Sequence, residues 1–252
     1  MDKTGPFAIP DLHEVALLLD IDGTIVDIAP TPTAVRVTPA LKAALTRLTG
    51  LTGGALALVS GRSLDGIDRL FAPLRLAAIG GHGAEFRPGH GETAQAREPR
   101  GLAPELRRRL RALAGNGIVA EDKGFSVALH YRLAPERAPL IFDAVKAICA
   151  EPWDAPLEAL PGKAVIEIKH AGFSKATGVR ELMRHAPFAG RRPVFIGDDV
   201  TDETVFAILP DLGGIGFSVG RQVAGLAGCF ETPGEVRAWL ERLAPADESV
   251  AS

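Results

Sequence analysis

Apolar runs of strand length alternate with amphipathic stretches of helix length through most of the chain, a pattern that predicts α/β architecture. Four runs, at 15–19, 55–59, 76–79 and 194–196, are continuously apolar and followed by polar or glycine residues. Strands of that kind are buried on both faces, so they are expected as neighbours in a parallel sheet. Thr38 before Pro39 places an N-cap residue ahead of proline at the first helical position, and a second helix is expected over 174–185. Both would be crossover elements.

From about residue 100 to residue 172 the pattern changes. A helix carrying Arg107, Arg108, Arg109 and Arg111, two alternating strand-like segments, another helix and two more strands read as an inserted α+β unit. Within 125–132, Phe125, Val127, Leu129 and Tyr131 share one face, while Ser126, Ala128, His130 and Arg132 share the other. Within 163–170, Lys163, Val165, Glu167 and Lys169 lie opposite Ala164, Ile166 and Ile168. The expectation is a half-buried sheet whose polar, charged face meets solvent. The chain thus divides into a core over 1–99 and 173–252, interrupted by a second domain over 100–172.

With 252 residues, 46% of them hydrophobic and 23% charged, the chain can bury one sizeable core and a smaller satellite. A formal charge of −3 supplies no basic field to gather a polyanion, so nucleic acid is not an expected partner. No apolar stretch approaches a membrane span, and the first residues lack the cationic start and apolar core of a secretory signal. Cys149 and Cys229 suit reduced core thiols better than a disulfide or a zinc site. A cytoplasmic protein is expected, with a monomer as the favoured state.

Chemistry enters at Leu19-Asp20-Ile21-Asp22-Gly23-Thr24, where two carboxylates and a glycine end an apolar strand. Ligand sites of parallel α/β sheets lie at such strand ends. A second acidic cluster, Asp198-Asp199-Val200-Thr201-Asp202-Glu203, follows the run 194–196. Its carboxylates repel one another, and a divalent cation with oxygen ligands, Mg²⁺ rather than zinc, is the natural compensation. The same stretch also reads as a helix start, with Thr201 as cap and Asp202 and Glu203 at the positive dipole end. Between the clusters come Ser60-Gly61-Arg62 at the end of the run 55–59, and Lys175 near the start of the expected second helix. A hydroxyl and an ammonium both suit phosphoryl oxygens.

In that order these four elements resemble the four motifs of the haloacid-dehalogenase superfamily. The resemblance implies a Rossmann-like parallel-sheet core with an inserted α+β cap domain. Further stretches, GGHGAEF at 80–86, EDKGFSVALHYR at 121–132 and GKAVIEIKHAGFSK at 162–175, are similar to trehalose-6-phosphate phosphatases. His170 and Ala176 depart from the family pattern, which has proline and glycine there. The resemblance implies Mg²⁺-dependent hydrolysis of a small sugar phosphate, trehalose-6-phosphate, to trehalose and phosphate through an aspartyl phosphate. Asp20 would be the nucleophile, Asp22 the acid and base, and Ser60 and Lys175 the phosphoryl ligands. Mg²⁺ would lie on Asp20, the backbone carbonyl of Asp22, and Asp198, with Asp199 or Asp202 contributing. Gly61, Arg62, His82, Glu85, Lys123, His130, Arg132, Lys163 and Glu167 become candidates for the substrate side. His82 also reads as a histidine hydrogen-bonded inside its turn, and Arg62 as an ion-pair partner. The alternatives are a phosphatase of sucrose-6-phosphate or mannosylglycerate phosphate, and a catalytically silent sugar-phosphate-binding module.

Overall fold

A computed structural model describes residues 11–29, 35–89, 101–162 and 164–245, so Lys163 lies outside the described residues. The chain begins with β1 (Val15–Leu19), α1 (Pro39–Leu51), β2 (Leu56–Val59), α2 (Leu64–Phe71), β3 (Ala77–Gly80) and β4 (Glu85–Arg87). It continues through α3 (Pro104–Arg111), β5 (Val119–Asp122), β6 (Ser126–His130), α4 (Ala138–Cys149), β7 (Leu157–Gly162) and β8 (Val165–His170). It ends with α5 (Lys175–Leu182), β9 (Arg192–Gly197), α6 (Val200–Phe206), β10 (Ile215–Val219), β11 (Gly228–Phe230) and α7 (Pro233–Leu243). Contacts divide it into two compact units, residues 1–95 with 174–252, and residues 96–173.

In the first unit the described strands form a seven-stranded sheet in the order β11-β10-β9-β1-β2-β3-β4. All pairs are parallel except β3 with β4. The four apolar runs expected as strands are β1, β2, β3 and β9, with ends shifted by a residue or two at all but β1. Alternate side chains of β1 serve opposite layers. Leu17 and Leu19 pack with Phe217, Phe230 and Trp239, whereas Ala16 and Leu18 pack with Val179, Phe195 and Phe206. Truncating one such leucine to alanine costs about 2–5 kcal/mol, so β1 is rigidly held. The helix starts follow local chemistry: Thr38 Oγ1 accepts the Leu41 N–H at 3.2 Å and Pro39 opens α1. Ser174 and Thr177 cap α5 reciprocally, and α5 ends at Leu182, short of 185, with its last turns replaced by tighter ones.

β1 lies between β2 and β9, and the sheet grows outward from it in opposite directions on its two sides. That reversal of strand order opens a crevice at the carboxyl ends of β1 and β9, where side chains from separate segments can meet without steric conflict.

The second unit is an antiparallel sheet in the order β5-β6-β8-β7. Val127, Leu129, Ile166 and Ile168 of its apolar face join Leu106 and Leu110 of α3 and Ile141 and Val145 of α4 in one cluster. The alternation read from the sequence is therefore present, but the polar face is only partly solvated. Ser126, Glu167 and Lys169 are buried: Glu167 accepts from Ser126 and Lys123, and Lys169 donates to Glu158. Cys149 and Cys229 are free thiols, as expected, yet partly exposed rather than in the core. Among the described residues no helix is long and apolar enough to cross a membrane.

Candidate active site

Three of the motif carboxylates converge where β1 and β9 end. Asp20, the residue after β1, and Asp198, the residue after β9, are buried with Asp202 from the first turn of α6. Each of the three offers an oxygen within 4.8 Å of the others. Lys175, at the first position of α5, donates from Nζ to Asp20 Oδ1 at 2.6 Å and to Asp202 Oδ1 at 2.7 Å. Thr24 Oγ1 bridges the remaining pair, at 2.9 Å from Asp20 Oδ2 and 3.3 Å from Asp198 Oδ1.

The electrostatics of this cluster are lopsided. Three carboxylates are buried together here, and Lys175 pairs with two of them, Asp20 and Asp202. Burial pushes the Asp20 carboxyl well above its usual range. The Lys175 ammonium pulls it back, while Asp202 and Asp198 push it up again. Burial opposes the charge on Lys175, but Asp20 and Asp202 outweigh burial and hold the ammonium above the ordinary lysine range. An all-oxygen donor set of crowded carboxylates fits a hard divalent cation such as Mg²⁺ and offers no soft ligand for zinc.

Close approach explains one glycine. Gly23 has φ +86°, and a Cβ there would run into the Asp198 carboxylate. The turn after β1 can therefore sit against the acidic loop only without a side chain.

Two further acids are held elsewhere. Asp22 takes a two-pronged ion pair from Arg62, with Nε to Oδ2 at 2.6 Å and Nη2 to Oδ1 at 2.7 Å. Arg62 thus sits on the second aspartate of the first motif, its ion-pair reading. Asp199 is the N-cap of α6, in a reciprocal capping box with Asp202. The cap is therefore Asp199 and not Thr201, because the helix begins one residue after the aspartate pair. Among the described residues the cation-type cluster is Asp20, Asp198 and Asp202, and Asp199 is outside it. Asp202 combines two tasks: its Oδ2 accepts the N–H groups of Asp198 and Asp199, both at 3.0 Å, while its Oδ1 meets Lys175.

Ser60 is buried at the end of β2, and its Oγ accepts the Arg62 N–H at 3.1 Å. The turn at 81–83 is tied to this loop by Gly81 N–H to the Arg62 carbonyl and His82 N–H to the Ser60 carbonyl. A Cβ on Gly61 would collide with the His82 imidazole, so the ring lies directly against that glycine. Glu85 Oε2 accepts the Leu64 N–H at the start of α2, at 2.8 Å. His82 and Glu85 therefore brace the loop 60–64 from within the first unit. GGHGAEF contains the signal for this, a glycine-rich turn followed by a carboxylate, but not the partner.

On the polar face of the second unit, Glu167 Oε1 accepts from Lys123 Nζ at 3.0 Å and from Ser126 Oγ at 2.6 Å. His130 Nε2 lies 3.1 Å from Glu121 Oε2, and that contact holds the Glu121 carboxyl below its usual range. Lys169 meets Glu158 at 2.8 Å and the Phe173 carbonyl. Lys123, His130 and Glu167 thus share one face, while Arg132 follows β6 on exposed chain. Glu121, Ser126, Glu158 and Lys169 were not among the candidates. Their signal was the alternation itself, extended to the neighbouring strands.

A parallel sheet with an acidic cluster at its switch point and an α+β insertion defines the class, and solved structures match it over nearly the whole chain. The C-terminal domain of Candida albicans trehalose-6-phosphate phosphatase superposes with a TM-score of 0.79 at 19% identity, covering 92% of each chain. A phosphatase of the haloalkanoate (HAD) enzyme superfamily from Bacteroides thetaiotaomicron does so with a TM-score of 0.56 at 15% identity, covering 93% of this chain and 96% of that one. The fold is of the haloacid-dehalogenase type. The family model for trehalose-phosphatase matches residues 18–224, and the chain belongs to that family. It is 43% identical over 216 residues to a probable trehalose-phosphate phosphatase of Sinorhizobium fredii, covering 84% of this chain and 80% of the relative. It is 37% identical over 241 residues to the trehalose-6-phosphate phosphatase of Escherichia coli, covering 94% and 90%.

Proposed function

We propose that this protein hydrolyses trehalose-6-phosphate to trehalose and phosphate, with Asp20 as nucleophile. The observation that carries the reading is the buried trio Asp20, Asp198 and Asp202, with Lys175 bridging Asp20 and Asp202. Asp20, Asp198 and Asp202 would hold Mg²⁺, which when bound offsets the repulsion between an anionic nucleophile and an anionic phosphate.

An oxygen of Asp20 forms a bond to phosphorus as the bond from phosphorus to the sugar oxygen breaks, giving an aspartyl phosphate. Asp22 gives its proton to the departing sugar oxygen and then takes one from the water that opens the intermediate. Arg62 holds both oxygens of Asp22 in two parallel hydrogen bonds, so Asp22 acts as the acid only after it leaves that pair and takes up a proton. Ser60 and Lys175 stabilise the phosphoryl oxygens, and losing one such donor typically costs about 3 kcal/mol. Asp199 keeps the acidic loop folded as the α6 cap, and His82 and Glu85 keep the loop 60–64 in place.

The second unit, residues 96–173, is the cap of this scheme, and its polar face supplies recognition of sugar hydroxyls. Lys123, His130 and Glu167 offer convergent donors and acceptors, as polyols require. The substrate and the free thiols agree with a cytoplasmic location. Phosphate release from trehalose-6-phosphate, measured beside sucrose-6-phosphate and glucose-6-phosphate with and without Mg²⁺, tests the proposal. Hydrolysis of trehalose-6-phosphate at least tenfold faster than of the others is the expected outcome, and equal rates on all three would remove the substrate assignment.

A further inference from the structure

Arg221 belongs to none of the four motifs. It stands two residues beyond β10, yet its guanidinium reaches the acidic loop. Nε donates to the Asp198 carbonyl at 3.2 Å, and Nη1 pairs with Glu203 at 2.8 Å. Its Nη2 is buried without a hydrogen-bond partner, and its own carbonyl accepts the Cys229 thiol at 3.2 Å. The peptide groups of Asp198 are therefore gripped on both sides: Asp202 takes the N–H, Arg221 the carbonyl.

We propose that Arg221 is a positioning residue that sets how tightly Asp198 and Asp202 hold a divalent cation, by fixing the orientation of the peptide that carries the Asp198 carboxylate. The proposal rests on the cation reading given above. Two effects of Arg221 on cation binding oppose each other. Its positive charge disfavours a second cation nearby, while its grip on the carbonyl keeps the Asp198 carboxylate beside those of Asp20 and Asp202. Glu203 decides between them, because at 2.8 Å it cancels most of the guanidinium's charge at longer range. The positional effect then dominates, and outer-shell groups of this kind typically change metal affinity by about 10–100-fold. The ion pair alone would matter little, since Arg221 and Glu203 are 38% and 48% exposed.

The test is direct cation binding, not turnover. Metal-free wild type and the double variant Arg221→Gln/Glu203→Gln, which removes both charges together, are titrated with Mg²⁺ by calorimetry and with Mn²⁺ by electron paramagnetic resonance. Melting in EDTA serves as the control for folding. The expected result is a Kd raised about tenfold in the double variant at unchanged melting temperature. A Kd within twofold of wild type overturns the proposal. Should the double variant fail to fold, Arg221→Lys carries the test: it keeps the charge but loses the planar fork, and its Kd must rise at least threefold, whereas an unchanged value overturns the proposal. Wild type that binds neither ion overturns the cation reading and this proposal with it, while binding by wild type with unaltered variants overturns the proposal alone.

Discussion

The two units bury polar groups by opposite rules. In the core, Asp20, Asp198 and Asp202 are buried within reach of one another, and Lys175 pairs with Asp20 and Asp202, so like charges are crowded together. In the second unit the charges come matched, Glu167 with Lys123 and Glu158 with Lys169. A buried imbalance is costly unless something binds to relieve it, whereas a matched pair avoids that cost and presents directed hydrogen bonds. The first arrangement suits chemistry on a dianion with a cation. The second suits recognition of neutral hydroxyls.

By that contrast, the largest effect comes from removing one charge of the core. Asp20→Asn keeps the shape but cannot attack phosphorus, so turnover is expected to vanish while the fold survives. More than a few per cent of wild-type activity, in a preparation free of deamidation, would remove Asp20 as nucleophile. Chelation is expected to come next. EDTA should stop phosphate release and Mg²⁺ restore it, and full activity in metal-free protein would remove the cation from the reaction.

How far this was legible in the sequence differs between the two units. In the core, β1 and the start of α1 follow from five apolar residues and from Thr38-Pro39, both local signals. Asp20, Lys175 and Asp198 were visible as motif positions. What each of the clustered acids does was not, because it turns on where α6 begins: one residue decides that Asp199 caps the helix and Asp202 faces Lys175. Contacts such as Asp22 with Arg62 and Asp198 with Arg221 join segments far apart in the chain and leave no local trace. In the second unit, alternation revealed which residues share a face but not what pairs with them across strands. Burial of Glu167 and Lys169 was lost for that reason.

A middle-sized effect tests the recognition side. Glu167→Ala should impair hydrolysis of trehalose-6-phosphate far more than hydrolysis of p-nitrophenyl phosphate, which has no sugar hydroxyls to lose. Loss of charge-assisted hydrogen bonds costs roughly 1.5–3 kcal/mol, or on the order of tenfold to a hundredfold in kcat/KM. Because Lys123 and Ser126 both lean on Glu167, thermal stability should fall as well. A parallel loss on both esters would assign Glu167 to the fold alone.

The smallest effect is expected at Glu158, and it separates two ion pairs on one sheet. Glu158→Gln removes a carboxylate whose side chain is 44% exposed, whereas that of Glu167 is only 9% exposed. Its partner Lys169 is just 4% exposed, and in the variant that ammonium keeps the Phe173 carbonyl and gains a neutral amide oxygen in place of the carboxylate. Water partly screens Glu158, but Lys169 is buried and loses its carboxylate, so the change should cost about 1–3 kcal/mol of stability. The kcat/KM for trehalose-6-phosphate should stay within threefold of wild type. Melting curves and steady-state rates on the two esters measure both quantities. Should Glu158→Gln instead match the losses of Glu167→Ala, the polar face would act as one coupled network in which exposure does not rank the members, and recognition would belong to the whole row rather than to the buried end at Glu167.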